Sequence, residues 1–307
     1  MTVLSPARTL RASAPAVLWR FSRPHTLVGT VLSVVGLYLI AVAELPGSGL
    51  GDLWWVLVAG AGVNVAIVGL NQLTDVEIDR VNKPHLPLAA GELTPAAAWA
   101  IVAVAAAVPV VLGLTQGALE TGAVLAALAV GAAYSLPPVR LKRHPVAASL
   151  SISGVRAAVV NLGVYGHFSL AFGGELTIAD PVWALTAFVL PFSFAIAVLK
   201  DVPDMEGDRR YRIATFTVRL GQRRAARLGI GALVLAYAGM IVLGPLLLGG
   251  VQPAVLAGGH AAALVALLRW ARTADPSDRD GFSGFYMRVW TLFFLEYVLV
   301  TAAVLAA

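Results

Sequence analysis

Residues 53–79 read LWWVLVAGAGVNVAIVGLNQLTDVEID, an apolar stretch that runs directly into a cluster of acidic residues. Residues 53–73 carry no charged side chain. About 20 such residues are enough for a helix to cross the hydrocarbon core of a bilayer. This stretch therefore predicts a transmembrane helix that ends at an acidic membrane surface.

Eight further stretches have a similar length and composition. The nine predicted spans, numbered 1 to 9 along the chain, cover residues 27–44, 53–73, 95–115, 117–136, 146–165, 182–199, 225–247, 253–270 and 286–305. Lipid offers the backbone no hydrogen-bond partner, so spanning segments are helices or closed barrels, and the alternation typical of barrel strands is missing. The sequence predicts an all-α polytopic membrane protein, a bundle of nine transmembrane helices.

The composition supports a single membrane domain. Hydrophobic residues make up 59% of the chain and charged residues 13%, whereas a soluble domain carries about a quarter charged residues. No polar linker divides the chain, so residues 1–307 are interpreted as one integral-membrane domain, with residues 1–20 as an N-terminal cytoplasmic tail. Cysteine is absent, which rules out disulfides and thiolate metal sites.

The basic residues predict the orientation in the bilayer. Apart from Arg156, all Lys and Arg lie before span 1 or in and beside the loops at 72–94, 137–145, 200–224 and 271–285. The alternate loops carry acidic residues instead. Because Lys and Arg mark cytoplasmic loops, the N-terminus and these four loops are predicted to be cytoplasmic and the C-terminus outside, in a bacterial cell membrane. The net charge of +5 then requires no nucleic-acid partner.

Two acidic motifs lie on this cytoplasmic side. The first reads NQLTDVEID over residues 71–79 and the second KDVPDMEGD over residues 200–208. Aligning residues 75–79 with 204–208 gives a short internal repeat, which predicts two pseudo-repeated halves. If each motif continues its span as a helix, Asn71, Asp75 and Asp79 share one face. In the second motif, Asp201, Asp204 and Asp208 then share one face as well.

Stacked carboxylates near hydrocarbon repel one another and are costly to bury. A divalent cation would offset both effects, and oxygen ligands suit Mg²⁺, which binds through one or two carboxylates together with substrate phosphates. The plain alternative is a solvated acidic helix end, but two matching motifs on one side of the membrane favour a metal site. Nearby basic residues favour diphosphate as the ligand. They are Lys83, Arg140, Lys142, Arg143, Lys200, Arg209 and Arg210.

Metal and basic side chains together make diphosphate a good leaving group. Its departure from a prenyl diphosphate leaves an allylic cation, which aromatic faces can shelter. Candidates by sequence proximity are Tyr134, Phe192, Phe194 and Tyr211.

The first motif and its extension, NQLTDVEIDRVNKPHLPL over residues 71–88, resemble the UbiA-type intramembrane prenyltransferases, and most of all their homogentisate branch, which includes phytyl, geranylgeranyl and solanesyl transferases. Residues 21–26, 134–143, 200–208 and 217–221 agree. The resemblance covers residues 18–222 well and the last third by hydropathy only. It implies a nine-helix bundle that opens to the cytoplasm, and Mg²⁺-dependent transfer of a prenyl group to an aromatic ring carbon.

The resemblance also implies roles for individual residues. Metal would be bound by Asn71, Asp75, Asp79, Asp201, Asp204 and Asp208, and diphosphate by Lys83, Arg140, Lys142, Lys200 and Arg209. The catalytic set would be Asp75, Asp79, Asp204, Asp208 and Tyr134, with Tyr134 beside the reacting carbon. Residues 201–222 would form part of a cytoplasmic cap.

Two charges are predicted inside the membrane, Arg156 in span 5 and Glu296 in span 9. Either they pair with each other, or Arg156 binds the carboxylate of an acidic acceptor, because an intramembrane charge is a candidate functional site. The acceptor-binding candidates are Arg156, Arg23, His25 and Asn161. Asn161 could instead form a hydrogen bond between helices.

Several functions remain open at this point. The favoured one is prenyl transfer to homogentisate with decarboxylation, in prenylquinone or tocopherol-type biosynthesis. The alternatives are the same chemistry on 4-hydroxybenzoate, a naphthoate, another phenol or a chlorin, a cation-coupled transporter, and a lipid-binding scaffold. Transport sites lie near the midplane, whereas these motifs lie at the membrane edge. Prenyl chain length and oligomeric state are left undetermined by the sequence.

Overall fold

The computed structural model describes residues 13–307, and this part of the chain contains helices and loops but no strand. Nine of its helices are long and apolar enough to cross a membrane: Pro24–Glu44, Leu50–Thr74, Pro95–Gln116, Ala118–Ser135, Pro145–Gly173, Asp180–Leu199, Gln222–Leu247, Pro253–Thr273 and Arg279–Leu305. All nine predicted spans are thereby confirmed, with span 5 longer than expected. The protein is an integral, multi-pass membrane protein.

The predicted N-terminal tail is described only in part, because residues 1–12 lie outside the described residues. Ala14–Phe21 forms a short helix. Its last residue, Phe21, is buried against Leu88, Ala98 and Val102. The carbonyl of Phe21 also accepts a 2.7 Å hydrogen bond from Nε2 of Gln72 in span 2. Residues 14–21 are therefore attached to the bundle beside the first motif.

Spans 6 and 9 form the centre of the bundle. More than half of the residues in their apolar windows are buried, against two fifths or fewer in each other span. Large apolar side chains on the outer spans point away from the protein, among them Trp54, Leu114, Leu235 and Leu246, each at least 66% exposed. Such an apolar exterior is costly in water and suits a lipid environment.

The two acidic motifs are not continuous helices, so the predicted stacking of their aspartates on single helical faces is wrong. Span 2 ends at Thr74, and a separate helix runs over Val76–Asn82. Span 6 ends at Leu199, and the matching helix runs over Met205–Arg210. We call these the first and second motif helices. The breaks place Asp75 and Asp204 immediately before equivalent helices, which supports the internal repeat.

The two motif helices pack against each other at Asn82 and Gly207. Oδ1 of Asn82 accepts a 3.1 Å hydrogen bond from the backbone N–H of Gly207, and both residues are buried. A Cβ atom at position 207 would lie 2.4 Å from that same oxygen. A side chain at position 207 would therefore displace the Asn82 amide and break this hydrogen bond. It holds the two halves of the acidic site together.

We expect Gly207→Ala to destabilise the protein by about 1–3 kcal/mol, the usual cost of overpacking a tight contact. The midpoint of thermal unfolding in detergent should fall by several degrees. Gly231→Ala is the matched control, because a Cβ at Gly231 meets nothing within 4 Å. Equal midpoints for the two variants would show that the contact does not hold the motifs together.

Candidate active site

Both acidic motifs face one polar cavity of about 70 Å³ at the end of the bundle. The lining includes all six predicted metal ligands, Asn71, Asp75, Asp79, Asp201, Asp204 and Asp208. Three of the predicted diphosphate ligands line it as well, Lys83, Lys142 and Lys200, together with Tyr134 and Arg23. Residues as far apart in sequence as Arg23 and Asp208 thus share one small site. We call it the polar pocket.

Basic side chains pair with these carboxylates. Lys142 Nζ lies 2.6 Å from Oδ1 of Asp75 and donates a 2.9 Å hydrogen bond to Thr74. Lys83 forms an ion pair with Asp204. The contacts of Lys142 join the first motif to the loop at 137–145. The ion pair of Lys83 joins the second motif to the segment that directly follows the first motif. The carboxylates and cations therefore form one connected network.

Two arginines beside this network adopt left-handed backbone conformations, Arg23 with φ 50° and Arg140 with φ 41°. Such conformations cost non-glycine residues of order 1–3 kcal/mol and tend to occur at functional sites. Arg140 Nη2 lies 3.4 Å from Oδ1 of Asp75, and Arg23 Nη2 lies 3.9 Å from Oδ2 of Asp79. Arg209, by contrast, is exposed and does not line the pocket.

The carboxylates have oxygen atoms suited to a cation. Within residues 13–307, the buried Oδ2 atoms of Asp79 and Asp208 have no hydrogen-bond partner. Burial raises the pKa of Asp79 to about 6, and burial together with neighbouring aspartates raises the pKa of Asp208. The protein alone thus disfavours these negative charges, which a bound cation would stabilise.

No group of three His, Cys, Asp or Glu side chains in the described part of the chain is arranged to hold a metal by itself. Mg²⁺ usually binds through one or two carboxylates, and substrate phosphates complete its octahedron. The unpartnered oxygens of Asp79 and Asp208 are ligands of the type that Mg²⁺ prefers.

A larger cavity of about 310 Å³, mostly apolar, extends from the polar pocket into the bundle. We call it the chamber. Both cavities are lined by Arg23, Asn71, Tyr134 and Lys200. Lys200 Nζ donates a 2.9 Å hydrogen bond to the hydroxyl of Tyr134 at this junction. A molecule with a charged head and an apolar tail could place one part in each cavity.

Span 5 lines the chamber with a repeat of four residues: Ser151 and Ile152, Val155 and Arg156, Val159 and Val160, Gly163 and Val164. An α-helix would turn such a stripe by about 40° with each repeat. Residues Val155–Leu162, however, are π-helical. The wider π-helical turn keeps the stripe facing the chamber, and π-helical segments are frequent at functional sites.

Three of the four acceptor-binding candidates, Arg156, Arg23 and His25, line the chamber. The guanidinium carbon of Arg156 lies 4.7 Å from the ring centroid of Trp290 and 5.2 Å from that of Phe293. Among the described residues, its Nη1 is buried without a hydrogen-bond partner. An arginine held this way is positioned to bind an anion.

The fourth candidate, Asn161, does not line the chamber. Its Oδ1 accepts a 2.8 Å hydrogen bond from the hydroxyl of Tyr297 in span 9. This is the interhelical hydrogen bond that the sequence left as the alternative.

The alternative pairing of Arg156 with Glu296 is wrong. Glu296 is fully buried and pairs with His260 of span 8, with Nε2 of the imidazole 3.1 Å from the carboxylate. Nδ1 of His260 lies 2.6 Å from the carbonyl oxygen of Leu256. His260 could not be recognised as this partner from the sequence, because a single histidine in an apolar span gives no sign of which helix it faces.

The aromatic wall of the chamber also differs from the candidates chosen by sequence proximity. Tyr134 does line it, but Phe192 packs in the core against Phe188 and Phe293. The remaining aromatic lining comes from span 9, as Tyr286, Trp290 and Phe293. These three follow a helical spacing of 4 and 3 residues, a signal that could have grouped them on one face without indicating which cavity they line.

An all-helical membrane bundle with two repeated acidic motifs and an apolar chamber is the architecture expected of the intramembrane prenyltransferases that the sequence resembles. The sequence profile of the UbiA prenyltransferase family matches residues 28–292. A homogentisate phytyltransferase from Synechocystis sp. is 42% identical, over 93% of this chain and 94% of that protein. A homogentisate solanesyltransferase from Arabidopsis thaliana chloroplasts is 38% identical, over 92% of this chain and 75% of that protein. The chain belongs to the UbiA prenyltransferase family.

Solved structures show the same fold. A UbiA homolog from Aeropyrum pernix without ligand superposes with a TM-score of 0.64 at 21% identity, over 92% of this chain and 98% of that one. One from Archaeoglobus fulgidus, bound to GPP and Mg²⁺, gives a TM-score of 0.62 at 17% identity, over 93% of this chain and 99% of that one. The family match also extends well past residue 222, so the last third resembles the family in more than hydropathy.

Proposed function

We propose that this protein transfers a prenyl group from a prenyl diphosphate to homogentisate, with loss of the acceptor's carboxylate as CO₂. The observation that carries the proposal is the junction of the two cavities at Tyr134 and Lys200. Charged diphosphate fits the polar pocket, the prenyl tail fits the apolar chamber, and the reacting carbon would lie between them. The homogentisate prenyltransferases among the relatives support this acceptor.

The polar pocket would bind the diphosphate together with Mg²⁺. The fitting metal ligands are Asn71, Asp75, Asp79, Asp201, Asp204 and Asp208. Bound Mg²⁺ would neutralise the diphosphate and make it a better leaving group. Lys83 and Lys142 now pair with Asp204 and Asp75, and they would turn toward phosphate oxygens when cations occupy the carboxylates. Arg140 would assist from behind Asp75.

Tyr134 and Lys200 would act at the reacting end of the donor. Cleavage of the C–O bond leaves an allylic cation, and the electron-rich face of the Tyr134 ring can stabilise it. Lys200 Nζ lies 2.9 Å from the Tyr134 hydroxyl. The same ammonium group can therefore hold the departing diphosphate and orient the Tyr134 ring. The buried chamber excludes water, which would otherwise capture the cation.

Arg156 would bind the carboxylate of homogentisate. Its guanidinium lies over the neighbouring rings of Trp290 and Phe293, and Arg156 lines the chamber. Arg23 and His25 line the same wall nearer the junction. Anchoring the carboxylate directs the acceptor ring toward Tyr134, where a ring carbon forms the new C–C bond. Loss of the proton from that ring carbon restores aromaticity, and the carboxymethyl side chain loses CO₂ and takes up a proton to become a methyl group.

The polar pocket would open to the cytoplasm of a bacterial cell. Its carboxylates share one end of the bundle with the loops that hold nearly all Lys and Arg, and such loops remain cytoplasmic. An odd number of spans then places the C-terminus outside.

Asp75→Asn and Asp204→Asn should each lower prenyl transfer to homogentisate by at least a hundredfold, because each removes a metal ligand from the polar pocket. EDTA should stop the wild-type reaction and Mg²⁺ should restore it. Glu77→Gln is the control within the same motif, since its side chain is 62% exposed and pairs with Arg80 at the surface. Near-normal transfer by Asp75→Asn and Asp204→Asn would refute the metal assignment.

Arg156→Met should raise the KM for homogentisate about 10- to 100-fold, because a charge-assisted hydrogen bond contributes about 1.5–3 kcal/mol. Arg288→Met is the matched control, since Arg288 also lies over a tryptophan, Trp270, but does not line the chamber. The wild type should prefer homogentisate to 4-hydroxybenzoate and dihydroxynaphthoate. An unchanged KM in Arg156→Met would exclude Arg156 as an acceptor ligand.

The absence of cysteine allows the orientation to be tested by labelling single cysteines. Ser48 lies in the exposed loop between spans 1 and 2, and Ser277 in the exposed loop between spans 8 and 9. In intact bacterial cells, a membrane-impermeant maleimide should label Ser48→Cys and spare Ser277→Cys until the cells are permeabilised. The reverse pattern would invert the topology.

A further inference from the structure

The deep end of the chamber has a polar boundary. Glu120, at the start of span 4, lines the chamber although nearly all its other deep walls are apolar. Nδ1 of His167 contacts the Glu120 carboxylate, and His167 Nε2 lies 4.0 Å from Oδ1 of Asp52. The side chains of Glu120 and His167 are at least nine-tenths buried. They form a paired polar group where a prenyl tail would end.

The walls that lead to this boundary are continuous and largely made of small residues. On span 4, Glu120, Ala123, Val124, Ala127, Val130, Gly131 and Tyr134 line the chamber. Their spacing of three or four residues places them on one helical face. The neighbouring wall, from span 2, runs from Asn71 to Val56 in the same way. A tail can therefore extend straight from the junction to Glu120.

The length of this path can be read from span 4. Tyr134 follows Glu120 by fourteen residues on one helix, which at 1.5 Å per residue corresponds to about 21 Å. An extended chain advances roughly 1.2 Å per bond, so four isoprene units with sixteen chain carbons need about 19 Å. Three units leave part of the chamber unfilled, and five units reach past Glu120.

We propose that the Glu120–His167 pair forms the floor of the chamber and limits the donor to a prenyl chain of four isoprene units. A hydrocarbon end that pushed past Glu120 would have to separate a buried carboxylate from its partner, which is strongly unfavourable. The inference rests on the proposed function and assigns Glu120, His167 and Ala123 the role of specificity-determining residues.

The test uses the full-length protein in membranes, with homogentisate and prenyl diphosphates of 10, 15, 20 and 25 carbons. Ala123 lies one turn above the floor, and Ala123→Phe fills the chamber there. The ratio of kcat/KM for the 20-carbon donor to that for the 10-carbon donor should fall at least tenfold. Leu125→Phe is the matched control on the same helix, because Leu125 is 48% exposed on the lipid side, and its ratio should equal that of the wild type.

Glu120→Ala tests the floor from the other direction. Removing the carboxylate should raise kcat/KM for the 25-carbon donor relative to the 20-carbon donor at least tenfold. If Ala123→Phe is inactive with every donor, Glu120→Ala alone decides the question. Length profiles that match the wild type in the active variants would overturn the floor. A wild type that transfers no prenyl group of any length would instead refute the proposed function.

Discussion

The balance of charge in the polar pocket is the constraint on which the rest of the structure depends. Five aspartates lie there at the edge of an apolar bundle, where isolated charges are strongly disfavoured. Lys83, Lys142 and Arg140 compensate them across loops that are distant in sequence. A bundle of apolar helices has few specific contacts to fix its ends, so this network and the Asn82–Gly207 contact determine how its two halves meet.

The same balance explains how one site can serve binding and chemistry. Under the proposed function, the basic side chains that neutralise aspartates in the protein alone would neutralise phosphate once a metal took their place. Little rearrangement would be needed, because these side chains would change partners without leaving the site. Preorganisation of this kind is a major source of catalytic power in enzymes. Burial raises the pKa of both Asp79 and Asp208, and neighbouring aspartates raise that of Asp208 further.

Much of the fold and part of the site could be predicted from the sequence. The length of each span follows from bilayer thickness, and the acidic motifs stand out because they repeat. All nine spans and the aspartates that line the polar pocket could therefore be predicted from the sequence. The contacts between side chains of different spans could not. Apolar spans look alike on every face, so nothing in the sequence placed His260 beside Glu296 or Trp290 beside Arg156. The break before Asp204 could have been predicted from Pro203, which interrupts helices, whereas neither proline nor glycine stands beside Asp75 to mark the other break.

The π-helical segment of span 5 has a consequence for how such a chamber can change. Because Val155–Leu162 is wound more widely than the helix before it, it adjusts the phase between the half of the span near the polar pocket and the half beyond it. A π-helical turn closes its hydrogen bonds one residue later than an α-helical turn. A single residue could therefore be lost from this segment as its winding returned to α-helical, with the two halves keeping nearly the same orientation. Gly163 and Val164 would then still face the chamber together with Ser151 and Ile152. The segment thus lets the length of the span change by one residue while its lining face is kept.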